Sequence, residues 1–189
     1  MRISGGAARG IPLQVPKGDA VRPATDGMRQ AAFSSLGAFV PGARFLDLFA
    51  GSGGYGLEAL SRGAAGGTFV EQNAKALACL RRNITAVCKS LGRDEAGLSV
   101  FQGDAVTVPT DGVPDLVFID PPYEIILEVA PKLFARLGEV LAPKPDALVV
   151  FEMPGEIEIA PPGWEQLKRL GKGARQPTVN FFRASRAGT

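Results

Sequence analysis

Short apolar runs alternate with stretches of helical periodicity through most of the chain. From residue 44 onward, runs rich in branched and aromatic side chains fall at 44–49, 67–71, 97–101, 114–119 and 147–152, and read as strands. Between them, 54–63, 73–90 and 124–138 read as helices. The second of these places Leu77, Leu80, Ile84, Val87, Cys88 and Leu91 three or four residues apart, on one stripe. Strands that alternate with helices predict a parallel sheet covered by helices. Beyond Glu152 the chain is broken by Pro154, Pro161 and Pro162. The runs Trp164 to Leu170 and Thr178 to Arg183 then alternate like strands, and predict an antiparallel hairpin across Gly171-Lys172-Gly173. The expected fold is therefore α/β, with a mostly parallel seven-stranded sheet that ends in an antiparallel hairpin. Ahead of it, Arg2-Ile3 and Ile11-Leu13 flank a glycine-rich turn and predict a short β-hairpin, and Asp26 suits the N-cap of a helix through Phe33, Leu36 and Phe39. No internal repeat is present, and 189 residues fit one domain: an extension at 1–40 and a core at 41–189.

The richest chemical signal ends the fourth strand. In Asp120-Pro121-Pro122-Tyr123 two consecutive prolines fix φ and remove two backbone donors, so the Asp120 carboxylate and the Pro121 carbonyl are presented as acceptors. Such a pair accepts hydrogen bonds from an NH₂ group. With Tyr123 beside it as a stacking surface, the fitting guest is a nucleobase with an exocyclic amine.

A second signal ends the first strand. Gly51, Gly53 and Gly56 match G-x-G-x-x-G between a strand and a helix, which admits a dinucleotide site. Asp47, inside the strand, argues otherwise: a carboxylate beneath the loop repels a pyrophosphate and welcomes a cationic amino-acid moiety. S-adenosyl-L-methionine has that moiety, a sulfonium and no phosphate. Phe49, Ala50, Gly51, Ser52 and Gly53 are then the cofactor loop, and Glu71 suits ribose hydroxyls. Gly103, Asp104 and Ala105 lie after the third strand, with Asp104 as an acceptor for the adenine amine. Asp120 borders both cofactor and target. Asp47, Glu71, Asp104 and Asp120 all fall at carboxyl ends of strands, where open α/β sheets bind ligands.

Composition narrows the class. The chain contains no histidine, which excludes a His general base, a Ser-His-Asp triad and a His-ligated zinc site, and no metal is expected. No apolar run is long enough for a membrane span, and the start Met1-Arg2-Ile3-Ser4-Gly5-Gly6 lacks the pattern of a signal peptide; a cytoplasmic monomer is expected. Cys79 and Cys88 lie nine apart on one predicted helix, Cys88 on the apolar stripe and Cys79 off it, so they are expected to stay reduced. Net charge is +2, yet residues 1–30 carry five Lys/Arg against two Asp/Glu, residues 165–189 carry six against one, and residues 31–164 carry ten against sixteen. Basic ends around an acidic centre fit a polyanion gripped by the termini and a cation held in the middle.

Taken in order, Asp47 to Gly53, Glu71, Gly103-Asp104 and Asp120 to Tyr123 resemble the Rossmann-like class I methyltransferases that modify exocyclic amines. The amino end narrows this further. Arg2 to Gly6, Arg9-Gly10, Arg22-Pro23-Ala24-Thr25-Asp26 with Arg29, and Gly56 to Ala64 resemble the RsmD-type 16S rRNA guanine-N2 methyltransferases. The resemblance implies methylation of N2 of one guanine in 16S rRNA, whether naked, in the small ribosomal subunit or in an assembly intermediate. It also implies RNA contacts by the extension. Arg2, Arg9, Arg22 and Arg29 are the candidates for phosphate contacts, with Lys168, Lys172 and Arg175 behind them. One departure is Gln30, where the family carries a glutamate after the arginine, which would hold Arg29 less firmly. A DNA adenine-N6 methyltransferase would use the same tetrapeptide with a separate target-recognition domain, for which this chain has no room. A protein-amine or small-molecule methyltransferase would gain little from basic termini, and a non-catalytic RNA-binding protein on this fold would have no use for the acidic set.

Overall fold

A computed structural model describes residues 1–16, 25–108, 112–174 and 176–185. The element order is α1 (Thr25–Leu36), a 3₁₀ turn (Gly37–Phe39), β1 (Arg44–Leu48), α2 (Gly54–Ser61), β2 (Gly66–Glu71), α3 (Ala74–Ser90), β3 (Leu98–Gln102), β4 (Leu116–Ile119), a second 3₁₀ turn (Tyr123–Ile125), α4 (Ile126–Val140), β5 (Leu148–Pro154), β6 (Trp164–Leu170) and β7 (Pro177–Ala184). Among the described residues, seven strands form one sheet in the order β3-β2-β1-β4-β5-β7-β6. β1 to β5 are parallel, whereas β7 lies antiparallel between β5 and β6, so the expected closing hairpin is present. Among the described residues, no helix is long and apolar enough to cross a membrane.

Both faces of the sheet are covered, which explains why the central strands read as continuous apolar runs rather than as alternating ones. Phe45, Phe118 and Val150 point to a core shared with Phe33 and Leu36 of α1, Leu57 and Leu60 of α2, and Leu80, Ile84 and Val87 of α3. Leu48, Ile119 and Phe151 point the other way, to Val129, Leu133, Phe134 and Leu137 of α4. Two glycines set how closely helices approach. A Cβ on Gly56 would lie 2.3 Å from Phe69 and 2.7 Å from Phe45, and one on Gly53 would lie 2.6 Å from Leu80, so bare backbone is what lets α2 lie this close to the sheet at Gly56 and its start this close to α3 at Gly53. α3 begins at Asn73, whose side chain accepts from the N–H groups of Lys75 and Ala76.

Four expectations are corrected. The amino-terminal hairpin reduces to a single bridge between Arg2 and Pro12, closed by Ile3 N–H to the Ile11 carbonyl and Leu13 N–H to the Met1 carbonyl. Asp26 is not an N-cap: α1 already starts at Thr25, and the Asp26 carboxylate turns to Arg29 at 2.8 Å, a stronger charged donor than a backbone amide. Phe39 is 59% exposed, because the tighter 3₁₀ turn carries it off the stripe that buries Phe33 and Leu36. Cys79 is buried along with Cys88, both as free thiols, because α3 is covered over more of its circumference than its stripe implies.

The segment before α1 is fastened to α2 by one carboxylate. Glu58 is fully buried on α2. Its oxygens accept from Ser4 N–H at 2.8 Å, Ser4 hydroxyl at 2.7 Å, Arg62 Nε at 2.9 Å and Arg29 Nε at 3.5 Å. Ser61 continues the seam: its carbonyl accepts from Ala7 N–H at 2.7 Å, and its hydroxyl donates to the Gly5 carbonyl at 2.6 Å while accepting from Ala8 N–H at 2.9 Å. Truncating Glu58 leaves the buried Arg29 cation short of its partner, a class of change that costs ~3–5 kcal/mol. Glu58→Ala is therefore expected to lower the urea midpoint by that much stability and to expose the amino-terminal segment to protease first.

Candidate active site

The strand order reverses between β1 and β4: the chain leaves β1 toward β2 and β3, then crosses back to β4 on the other side. Such a switch point opens a crevice at the carboxyl ends of the strands. Here it is a cleft of about 220 Å³ whose walls include Asp47, Phe49, Ala50, Gly51, Ser52 and Asp120, all expected from sequence, together with Met1, Arg29, Gly54, Tyr55 and Glu152. A larger hollow of about 550 Å³ lies at the amino-terminal ends of β1, β4 and β5, between Ala43, Asp115 and Ala147, the ends at which a parallel sheet does not bind ligands.

The loop after β1 is shaped by its backbone. Phe49 has φ 60°, which among the described residues makes it the non-glycine in the left-handed region, and Gly51 and Gly53 follow with φ 55° and 92°. A side chain held in that region costs of order 1–3 kcal/mol, a cost that clusters at ligand sites. The three glycines divide the work. Gly53 and Gly56 serve packing, whereas a Cβ built on Gly51 meets nothing within 4 Å, so its backbone borders open space. The loop is pinned from both sides. Gly51 N–H donates to Glu71 at 2.7 Å, and the Asn83 amide donates to the Ser52 carbonyl at 2.8 Å.

Asp47 lies under this loop, 2% exposed, and accepts from Gly56 N–H at 2.8 Å. Burial pushes its carboxyl up to about 7; the Gly56 hydrogen bond opposes that, Glu71 adds to it, and Arg29 draws it down. Glu71 is nearly buried at the end of β2, its other oxygen accepting from Asn73 N–H at 2.7 Å. On the far side of β4, Tyr55 donates to Glu152 at 2.6 Å, and burial together with that carboxylate and Asp120 holds the phenol well above its ordinary range.

Other expected residues are not among those that line this cleft. Asp104 is exposed after β3, with Oδ1 accepting from Val106 N–H at 2.8 Å; Gly103 is half-buried and Ala105 buried beside it. Pro121 is buried and Pro122 exposed. Tyr123 opens the second 3₁₀ turn, its ring packed against the α4-side core and its hydroxyl buried, so the structure does not place that ring in the cleft. Arg2 and Arg9 are exposed, whereas Arg22 and Arg175 lie outside the described residues. Lys172 is exposed, and Lys168 donates to the Ser35 hydroxyl at 2.8 Å.

Arg29 corrects its expectation. It is no surface cation but is 2% exposed, donating to the Arg2 carbonyl at 2.7 Å, to Asp26 and to Glu58, and it lines the cleft. Gln30 is exposed, and the grip on Arg29 comes from those three acceptors instead. Sequence reading missed Tyr55, Glu152, Glu58 and Asn83. Glu152 carried a signal, since it ends a strand just as Asp47 and Asp120 do. Asn83 carried another, a polar residue on the apolar stripe of α3 that binds Gln14 N–H, the Gln14 carbonyl and the Ser52 carbonyl.

The family model described as "Conserved hypothetical protein 95" matches residues 1–180. Ribosomal RNA small subunit methyltransferase D of Haemophilus influenzae is 33% identical over 176 residues, which cover 92% of this chain and 89% of the relative. The protein of that name from Escherichia coli is 38% identical over 125 residues, 65% of this chain and 60% of the relative. Among solved structures, yhhF from Escherichia coli superposes with a TM-score of 0.75 at 30% identity, covering 98% of both chains. With its strand order, its glycine loop over Asp47 and its acidic cleft at the switch point, the chain belongs to this family, that of the RsmD-type methyltransferases.

Proposed function

We propose that the protein transfers a methyl group from S-adenosyl-L-methionine to the exocyclic N2 amine of one guanine in small-subunit ribosomal RNA. The observation that carries this reading is the convergence of the Asp47 loop and Asp120 on one cleft from adjacent strands. The names of the relatives from Haemophilus influenzae and Escherichia coli support ribosomal RNA as the substrate.

The residues fit such a donor. Asp47 is a buried carboxyl with Arg29 as the cation that faces it in the cleft, so an incoming ammonium supplies charge that the site is short of. Glu71 would receive ribose hydroxyls, Asp104 the adenine amine, and the open side of Gly51 admits close approach of the donor to the backbone. When bound, the donor supplies an electrophilic methyl on a sulfonium. The guanine N2 lone pair is delocalised into the ring and is a poor nucleophile. Asp120 and the Pro121 carbonyl each accept one N2–H, which favours a pyramidal nitrogen and aims its lone pair. Asp120 and the Pro121 carbonyl would hold the nitrogen in line with that methyl, and the proton that methylation leaves in excess on N2 would pass to Asp120 or to water. Alignment of this kind reaches ~7–11 kcal/mol in favourable cases. Arg2 and Arg9 would hold phosphates, while Arg29 belongs to the cleft.

Incubation with labelled donor and undermethylated small subunits, their RNA or duplex DNA tests the reading: N2-methylguanosine from ribosomal material is expected, and N6-methyladenosine from DNA would refute it. Asp120→Ala is expected to cut turnover by at least ~100-fold, as loss of the aligning acceptor requires. Replacing Arg2 or Arg9 by Ala should weaken RNA binding and flatten the log–log dependence of affinity on salt by about 0.7–0.9 for each phosphate that is no longer neutralised.

Asp47 sets a pH dependence whose sign follows from its raised pKa. The unfolded carboxyl ionises near 3.8 and the folded one at about 7, so the unligated protein loses stability as pH climbs between those values and is level above them. Donor binding requires the ionised form, so affinity is expected to fall by up to ~10-fold per pH unit below about 7 in calorimetric titrations. Asp47→Asn keeps an acceptor for Gly56 N–H; its melting temperature should lose the slope over that range, and its donor binding should be weak and insensitive to pH.

A further inference from the structure

Glu152 is the acidic group of the cleft to which the proposed methyl transfer gives no task. It is 2% exposed and stands near the carboxyl end of β5. In the parallel ladder Ile119 pairs with Phe151, so the next residues, Asp120 and Glu152, stand side by side at neighbouring strand tips. Two residues earlier on each strand, Phe118 and Val150 both belong to the core on the α1–α2 face, and side chains repeat their direction every second residue. Both carboxylates therefore point to the same side of the sheet.

The Glu152 carboxylate is aimed by a rigid donor. Tyr55 hydroxyl donates to its Oε2 at 2.6 Å, and the Tyr55 ring is itself clamped, stacked on Phe118 at 5.3 Å and tilted against Phe33 at 6.2 Å. A carboxylate has about four acceptor sites, so Glu152 can accept from a base as well as from Tyr55. A guanine presents three N–H bonds along one edge, two on N2 and one on N1. Asp120 and the Pro121 carbonyl account for the N2 pair, and the acceptor beside Asp120 is Glu152. Adenine and cytosine present a ring-nitrogen lone pair next to their amine, which a carboxylate repels.

We propose that Glu152 is the residue that specifies guanine, by accepting the N1–H of the target base while Tyr55 holds its carboxylate in place. This rests on the guanine-N2 reading above and adds to it the origin of base choice. Site-built acceptors reject analogues that lack the matching donor far more strongly than pockets reject by shape.

The probe is small-subunit RNA rebuilt by ligation with 2-aminopurine at the mapped guanine, which keeps the N2 amine and replaces N1–H by a lone pair. The wild-type protein is expected to prefer guanine to 2-aminopurine by at least ~100-fold in kcat/KM. Glu152→Gln, whose amide can donate to that lone pair, should bring the preference to within ~10-fold, mostly by losing activity on guanine. Tyr55→Phe keeps the carboxylate and removes its anchor; it should loosen the preference in the same direction, and it decides the matter together with the wild-type ratio if Glu152→Gln fails to fold. Equal turnover of both bases by the wild type, or a wild-type ratio retained in a folded Glu152→Gln, overturns the assignment while leaving guanine methylation standing. Absence of N2-methylguanosine from the wild-type reaction would instead strike the functional reading, and this one with it.

Discussion

The buried carboxylate of Glu58 is the constraint from which the active cleft follows. A fully buried carboxylate is tolerated only when charged or N–H donors surround it. Here the donors come from three places far apart in sequence: Ser4 in the amino-terminal segment, Arg29 in α1 and Arg62 at the end of α2. Satisfying one side chain thus draws the first residues and α1 onto α2. It also fixes Arg29 with its guanidinium between Asp26, the Arg2 carbonyl and the cleft, and it leaves Met1 on the cleft wall. The Gly5-Gly6 turn belongs to the same seam, since a Cβ on Gly6 would lie 2.0 Å from the Ser61 carbonyl oxygen and one on Gly5 would lie 2.2 Å from the Arg62 guanidinium. Much of the amino-end pattern that resembles the family is therefore docking chemistry, which builds the wall of the site.

Charge inside the cleft is deliberately unbalanced. Asp47, Asp120 and Glu152 line it, with Arg29 as the cationic side chain among the described lining residues. In the unligated protein this imbalance is relieved by keeping Asp47 protonated up to about neutral pH. The cationic donor proposed above would reverse the relief, which makes the site poorer for folding than for binding. The strained φ of Phe49 has the same character: a local cost borne where the chain must turn sharply from β1 to clear space above Asp47.

Sequence carried the elements and the acidic strand tips because both are written locally. Alternation and helical spacing yield seven strands and their helices to within a few residues, and the positions of Asp47 and Asp120 follow from strand ends alone. What sequence did not carry was pairing across distance. Nothing near Arg29 announces that Glu58, twenty-nine residues on, would bury it, so a basic residue in a basic segment reads as a surface contact. Nothing near Tyr55 announces Glu152, ninety-seven residues on. The single bridge in place of a hairpin, and the Asp26 carboxylate taken by Arg29, fail for the same reason: a partner from elsewhere outcompetes the local pattern. Tyr123 shows the limit of motif reading, since the motif fixes the backbone after Asp120 and leaves the direction of the ring to packing against α4.

The chemistry of the site then reduces to strand adjacency. β1, β4 and β5 are consecutive in the sheet and in register, Leu48 beside Ile119 and Ile119 beside Phe151. Neighbouring strands lie ≈ 4.7–4.9 Å apart, so the groups that leave their tips are spaced by about that much. By this register Phe49, the first residue of the glycine loop, stands beside Asp120 and Asp120 beside Glu152, with Asp47 two residues earlier, beneath the loop. In the proposed reaction, a donor above the first tip and an amine at the second would be brought close by the hydrogen-bond ladder itself. The third tip would add the acceptor proposed for the N1–H of the base, on the side of the amine away from the donor. On that reading, rigid backbone rather than flexible loops would set both reach and selectivity, the condition under which a weak nucleophile can be aligned without help from a strong base.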